Sequence, residues 1–223
     1  MTQDWQQRAD ELAAESIGAG RPTAWFDRLY AAGVAGEVGM PWSRDGAHPA
    51  LEEWANGLDG AGRRAVVVGS GLGADAAHLA RLGFATTGFD VAPTAVDEAR
   101  RRHGGSGADF VVADLLALPA EWREAFDLVV EVFTLQALPD PPRSEAAAAV
   151  TDLVAPGGTL LAVQFRADGT VAPDDGPPFP LDRAFMTGLA HGGLDLVRLE
   201  ELEGPLWRAE YRRLPAHSVD DPA

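Results

Sequence analysis

Three glycines in five residues, Gly69, Gly71 and Gly73, follow directly on the apolar run Ala65-Val66-Val67-Val68. Glycine tolerates positive φ and has no Cβ, so such a turn lets a ligand press against bare backbone where a helix begins. Asp90 stands roughly 20 residues further on, at the end of a second apolar run, where a carboxylate accepts from the hydroxyls of a ribose. Asp114 closes Val111-Val112-Ala113, and Glu131 closes Leu128-Val129-Val130. A glycine turn followed by acids at the ends of successive apolar runs is the chemistry of a nucleoside-bearing cofactor.

The turn itself does not choose that cofactor. Gly69-Ser70-Gly71-Leu72-Gly73-Ala74 fits the dinucleotide fingerprint, whose last position tolerates alanine. S-adenosylmethionine uses the same device, and there an acid placed like Asp114 accepts from the adenine amino group. Dinucleotides do not require that acid. A dinucleotide oxidoreductase would also need a hydride-transfer site, commonly Tyr with Lys, and the chain has two tyrosines and no lysine. These points put S-adenosylmethionine ahead of NAD.

Candidates for acid-base work are His48, Glu131 and His191. His48 precedes Pro49 at a helix start, and His191 precedes Gly192-Gly193 at a helix end, so both also have a purely structural reading. Asp75 lies in the first turn of the helix after the glycines. The helix dipole favours a carboxylate there, and a cofactor ammonium is a second use for it. Trp42 either lies over the cofactor with its aromatic face towards a cation or packs the N-terminal helices. Trp25, Phe26 and Tyr30 share one helical face, as core or as pocket lining. Arg166 and Arg183 border a long loop, either as anion anchors or as surface charges. No metal site is expected. With no cysteine, disulfides and thiolate catalysis are excluded.

Positioning these residues requires an alternating chain. Strands are expected at Val66–Val68, Ala85–Phe89, Phe110–Val112, Phe126–Val132 and Thr159–Phe165. Helices are expected at Gly73–Leu82, Pro93–Arg102, Arg143–Leu153 and Asp182–Ala190, with a short one at Ala120–Arg123. Unbroken apolar runs imply strands buried on both faces, and alternation with helices implies a parallel, doubly wound α/β sheet. Leu194–Leu202 and Leu206–Leu214 are separated only by Glu203-Gly204-Pro205, too short for a crossover, so they close the sheet as an antiparallel hairpin. The expected fold is therefore a Rossmann-like seven-stranded sheet. Three helices precede it, at Thr2–Ala19, Pro22–Ala35 and Pro49–Leu58. The Pro- and Gly-rich stretches Gly33–Pro49 and Ala167–Pro180 read as long loops of the kind that serve as lids.

A net charge of −16 over 223 residues opposes nucleic acid and anionic membrane surfaces. No apolar run approaches a membrane span, and the N-terminus lacks a signal-peptide core. The expected partner is a small molecule, the expected location the cytoplasm, and the expected state a monomer or homodimer.

With these residues assembled, the chain resembles the class I S-adenosylmethionine-dependent methyltransferases, and within them the thiopurine, thiol and halide branch. The likeness runs from about Trp25 to Arg212. It rests on Pro41-Trp42 with His48-Pro49 as a lid, on Gly88-Phe89-Asp90-Val91-Ala92-Pro93, on Phe126 to Glu131 leading into Thr134-Leu135-Gln136-Ala137-Leu138-Pro139, on Pro156-Gly157-Gly158, and on Gly176-Pro177-Pro178-Phe179. Where the branch often has Asp-Arg, this chain has Glu131-Val132. The resemblance implies one methyltransferase domain over residues 1–214, with helices and lid in 1–60, the cofactor core in 61–214 and a tail in 215–223. It implies that Val68, Gly69, Ser70, Gly71 and Gly73 wrap the methionyl part and ribose. Asp90 would hold the ribose diol and Val91 would flank the adenine. Asp114 and Leu115 would read the adenine, and Trp42 and Asp75 would contact the cofactor. Glu131 and Val132 would lie beneath the reacting methyl, with Glu131 and His48 as bases. The implied reaction is methyl transfer to a small thiol or other soft nucleophile, with an oxygen or nitrogen acceptor as the rival, and S-adenosylhomocysteine as product.

Overall fold

The apolar runs receive the two-sided cover they need in the computed structural model, which describes residues 5–167, 169 and 176–215. Seven strands form one sheet: β1 (Arg64–Val68), β2 (Ala85–Asp90), β3 (Asp109–Val112), β4 (Phe126–Val132), β5 (Val154–Phe165), β6 (Leu194–Leu202) and β7 (Leu206–Arg213). Their order is β3-β2-β1-β4-β5-β7-β6. All neighbours are parallel except β7, which runs antiparallel between β5 and β6.

Side chains along a strand alternate between faces, and β1 shows the consequence. Val66 and Val68 enter one core with Val129, Leu160, Tyr211 and α6 (Arg143–Asp152). Ala65 and Val67 enter the opposite core with Leu128, Leu161, α4 (Ala74–Arg81) and α5 (Pro93–His103). A third cluster joins α1 (Trp5–Gly18) to α2 (Trp25–Val34) through Leu12, Trp25 and Leu29. The helix α3 (Pro49–Ala55) lies beside the hairpin, where buried Arg208 of β7 donates to the carbonyl of Ala50 and pairs with Glu53 and Glu200. The remaining helix is α7 (Arg183–Gly188). No helix among the described residues is long and apolar enough to cross a membrane.

The sheet and its hairpin agree with expectation, and the differences have local causes. The fifth strand starts at Val154, ahead of the expected Thr159, because its backbone pairs with Phe126 before a register shift around Pro156-Gly157-Gly158. Two single turns of 3₁₀ helix, Leu115–Ala117 and Leu135–Ala137, were not expected. Each is organised by the acid before it: Asp114 accepts from the amide of Leu116, and Glu131 from those of Thr134 and Leu135. One turn carries no periodicity, so the pattern of apolar residues cannot reveal it. The expected start of the first helix at Thr2, most of the loop after β5 and the tail beyond Pro215 lie outside the described residues.

Candidate functional site

Strand order reverses between β1 and β4, and open α/β sheets bind ligands in the crevice outside the carboxyl ends of the strands at that point. A cavity of about 490 Å³ opens there. Its floor is the turn from Gly69 to Asp75. Gly69, Gly71 and Gly73 have φ of +57°, +50° and +89°. A Cβ at Gly69 would collide with the Thr134 side chain; at Gly71 it would stand 2.7 Å from the Tyr30 hydroxyl, and at Gly73 2.7 Å from the Phe110 ring. Glycine is required three times over, by conformation and by the close approach of neighbours.

Asp90, at the end of β2, is buried. Its Oδ2 accepts from the Gly71 amide at 2.9 Å and its Oδ1 from the Ala92 amide at 3.0 Å. Burial raises its pKa, against the pull of those amides. The carboxylate therefore fixes the glycine turn while facing the cavity, with acceptor capacity left on both oxygens. Asp114 lines the next part of the wall with Val91, Leu115 and Leu116. The roof is aromatic. Trp5 of α1, Trp25, Phe26 and Tyr30 of α2, and Trp42 of the following loop all line the cavity. Trp42 meets Trp5 edge to face at 5.4 Å and Tyr30 at 6.0 Å. Asp27 holds this roof to the core by accepting from the Thr94 amide at the start of α5.

Of the expected site residues, the structure gathers Trp42, Gly69, Ser70, Gly71, Gly73, Asp75, Asp90, Val91, Asp114, Leu115 and Val132 around one cavity. Val68, His48 and Glu131 are not among its lining. The Val68 side chain enters the core and its carbonyl accepts from Thr134 Oγ1 at 3.0 Å. His48 caps α3: its Nδ1 accepts from the Ala50 amide at 3.1 Å, and its own amide donates to Asp75 Oδ1 at 2.7 Å. Burial, with Arg44 adding to it, lowers the imidazole to about 4. A neutral ring whose Nδ1 is already accepting carries its proton on Nε2 and has no free lone pair for a substrate proton. The expectation that His48 acts as a base gives way to a capping role. Glu131 is fully buried behind the wall; Oε1 accepts from the amides of Thr134 (2.7 Å) and Leu135 (2.8 Å), and Oε2 from the Gln164 side chain. It folds the turn beneath the cavity instead of reaching into it.

Sequence reasoning passed over Phe133 and Thr134, which this turn presents to the cavity. Phe133 has φ +63°, a conformation bulky residues rarely adopt. Its ring stacks on Phe165 at 4.8 Å and 7°. No residue-type signal announces a strained phenylalanine; only the acid two residues earlier hints at a turn. Arg166 and Arg183, weighed as anion anchors, both pair with Glu201 away from the cavity.

The residues fit S-adenosylmethionine. The turn presents Gly69, Gly71 and Gly73 to the cavity as bare backbone, where a ligand can approach the main chain directly. Ser70 Oγ, Trp25 Nε1 and Arg44 Nε, all on lining residues, are buried without hydrogen-bond partners. Buried polar groups are rarely left so, and a polar ligand would satisfy them. Asp90 suits the ribose diol, and Asp114 the adenine amino group.

Comparison with known proteins agrees. Residues 65–158 match the family model described as a methyltransferase domain. The ubiquinone biosynthesis O-methyltransferase of Xanthomonas axonopodis pv. citri (strain 306) is 37% identical over 113 residues, 50% of this chain and 46% of that protein. The chain thus spans about half the length of the curated relatives it matches. A structure from work on the conversion of a disulfide bond into a thioacetal group during echinomycin biosynthesis superposes with a TM-score of 0.68 at 25% identity, over 84% of this chain and 93% of the other. The N-methyltransferase NodS from Bradyrhizobium japonicum WM9, solved with S-adenosyl-L-homocysteine, superposes at 0.61 with 22% identity, over 74% and 83%. The fold is the Rossmann-like fold of class I methyltransferases.

Proposed function

We propose that this protein is an S-adenosylmethionine-dependent methyltransferase acting on a small molecule, and that its acceptor is a thiol or another soft nucleophile, as in the thiol and halide branch it resembles. One observation carries the cofactor: a buried carboxylate, Asp90, closes a three-glycine turn at the switch point of the sheet and faces the same cavity as Asp114. One observation supports the acceptor class: the described lining residues include no histidine or glutamate, and their carboxylates, Asp75, Asp90 and Asp114, each already accept from a backbone amide. Tyr30 is pushed well above its usual value by burial, Asp90 and Asp114 already accept from amides, and His48 and Glu131 stand off the cavity.

The cofactor would bring a methyl group already activated on a sulfonium. What remains for the protein is to align the nucleophile and exclude water. Well-oriented pairs gain about 7–11 kcal/mol from such alignment. The Phe133–Phe165 stack and the aromatic roof give the acceptor a dry, rigid seat. A thiol, with an ordinary pKa of about 8.5, ionises without help, whereas a phenol near 10 profits from a base.

The second reading is an O-methyltransferase, favoured by the names of the relatives that this chain matches over about half their length. Release of S-adenosylhomocysteine across thiophenol, phenol, aniline and iodide separates the two. The expected result is turnover at least tenfold faster with thiophenol than with phenol. Turnover confined to phenol would overturn the sulfur assignment. We further expect a monomer or homodimer working in the cytoplasm, without nucleic-acid or membrane partners.

A further inference from the structure

Away from the glycine turn the cavity wall is apolar, and one polar side chain there has donors to spare. Phe133, Ala137, Leu138, Phe165, Pro177 and Pro178 line this end, from the turn after β4, the last residue of β5 and the loop beyond it. None is charged. The charged lining residues, Arg44, Asp75, Asp90 and Asp114, stand on the lid, in the first turn of α4, and at and beyond the ends of β2 and β3.

Gln136 belongs to the same turn as Phe133, lines the same cavity and is only 2% exposed. Its Oε1 accepts from the Phe165 amide, and its backbone carbonyl accepts from the Phe179 amide at 2.7 Å. A backbone amide can only donate, so the side-chain oxygen must face Phe165 and Nε2 is left on the other side. That Nε2 donates to no group among the described residues. The neighbouring polar side chains are differently engaged. Thr134 Oγ1 donates to the Val68 carbonyl at 3.0 Å, and Gln6 of α1 donates to the Pro177 carbonyl at 2.7 Å.

These bonds make Gln136 a fixed donor. It ties its turn to β5 and to Phe179, while Gln6 ties α1 to the same loop. A group already held in place loses little freedom on binding. Buried amide N–H groups are rarely left unpaired, and the apolar walls around this one supply no acceptor. A charged ligand group would be desolvated here without a counter-charge, at high cost, whereas a neutral lone pair would meet the hydrogen bond it needs. Resting on the reading of the cavity as a methyl-transfer site, we infer that the molecule to be methylated has an uncharged aromatic body carrying a neutral lone-pair atom, a carbonyl oxygen or a ring nitrogen, and that Gln136 Nε2 donates to that atom. Gln136 is then a specificity-determining residue, and the Phe133–Phe165 stack is the wall against which the aromatic body lies.

The test uses unreactive probes on the full-length protein saturated with S-adenosylhomocysteine, so it does not depend on which atom is methylated. Two pairs are titrated at pH 8 with ligand-observed NMR: acetophenone against α-methylstyrene for a carbonyl, and pyridine against benzene for a ring nitrogen. Differences in hydration within a pair cancel when its affinity ratio is compared between proteins. Gln136→Glu keeps an oxygen for the Phe165 amide and replaces the donor with a second oxygen. Gln136→Met removes both. In each variant the affinity ratio of at least one pair is expected to shift fivefold or more against the lone-pair probe, with S-adenosylhomocysteine affinity held within twofold. Ratios that stay the same in both variants would overturn the inference. Equal losses for both members of each pair, or loss of S-adenosylhomocysteine binding in the variants, would make Gln136 a staple of the fold and overturn it too. So would a wild-type complex that takes up none of the four probes, while the cofactor reading stood. A wild type that did not bind S-adenosylhomocysteine would remove the cofactor reading and this inference together.

Discussion

Asp90→Ala is expected to weaken S-adenosylhomocysteine binding by 100-fold or more. The carboxylate is asked to do two things. It accepts from the amides of Gly71 and Ala92, which sets the glycine turn, and it would accept from both ribose hydroxyls. Hydrogen bonds to a charged group contribute about 1.5–3 kcal/mol each, so losing two costs two to four powers of ten in Kd. The variant also strands the buried Gly71 amide, at about 1–3 kcal/mol of stability, which calorimetric unfolding reads separately from affinity. Asp90→Asn keeps one acceptor oxygen and is expected to fall between the two. Burial raises the Asp90 pKa, so cofactor affinity should decline on acidification as the group takes up its proton, starting above the pH at which an exposed aspartate would.

Glu131 makes the second large prediction, and its readout is the pH dependence of stability. Burial raises this carboxyl from 4.5 to about 7. Below pH 4.5 it is protonated in the folded and unfolded chain alike, and it draws no distinction between them. From 4.5 to about 7 the folded protein keeps a proton that the unfolded chain has released. Stability therefore falls as pH rises through this window, by about 3 kcal/mol in all, and the loss is complete above the folded value. Glu131→Gln removes the slope. The introduced amide still offers an oxygen to the Thr134 and Leu135 amides, and its nitrogen can donate to Gln164 Oε1, which has no partner in the native protein. The variant is expected to unfold at a higher temperature than the wild type at pH 8 and at a similar one at pH 5. Glu131→Ala leaves two buried amides and the Gln164 side chain unpaired. It is expected to lower the melting temperature by about 10 °C at either pH. A wild-type stability that stays flat between pH 5 and 8 would contradict the charge assignment.

The two acids show where the sequence was informative. Asp90 was legible because strand two, its glycine partner and the distance between them are all written in residue types. Sheet topology was legible for a similar reason: unbroken apolar runs, helices between them and a joint of three residues before the last strand leave few arrangements. Glu131 was legible as a strand-ending acid and misplaced as a group in the cavity. An acid at that position can point into the crevice or curl back to cap the next turn, and the choice depends on Gln164, which comes from another strand. His48 was divided in the same way between base and cap, and the amide of Ala50 decides it. Phe133 left no trace, since a single residue at positive φ has no periodicity and phenylalanine does not advertise it. Local chemistry could be read; which of two local partners each polar group takes was set by contacts made across the fold.

The central claim is that the cavity at the β1–β4 switch point holds S-adenosylmethionine and not a dinucleotide. Titration calorimetry of the full-length protein with S-adenosylhomocysteine and, separately, with NAD tests it directly. The account predicts one-to-one binding of S-adenosylhomocysteine, abolished or weakened at least 100-fold in Asp90→Ala, and no heat of binding with NAD. Saturable binding of NAD with none of S-adenosylhomocysteine would contradict it.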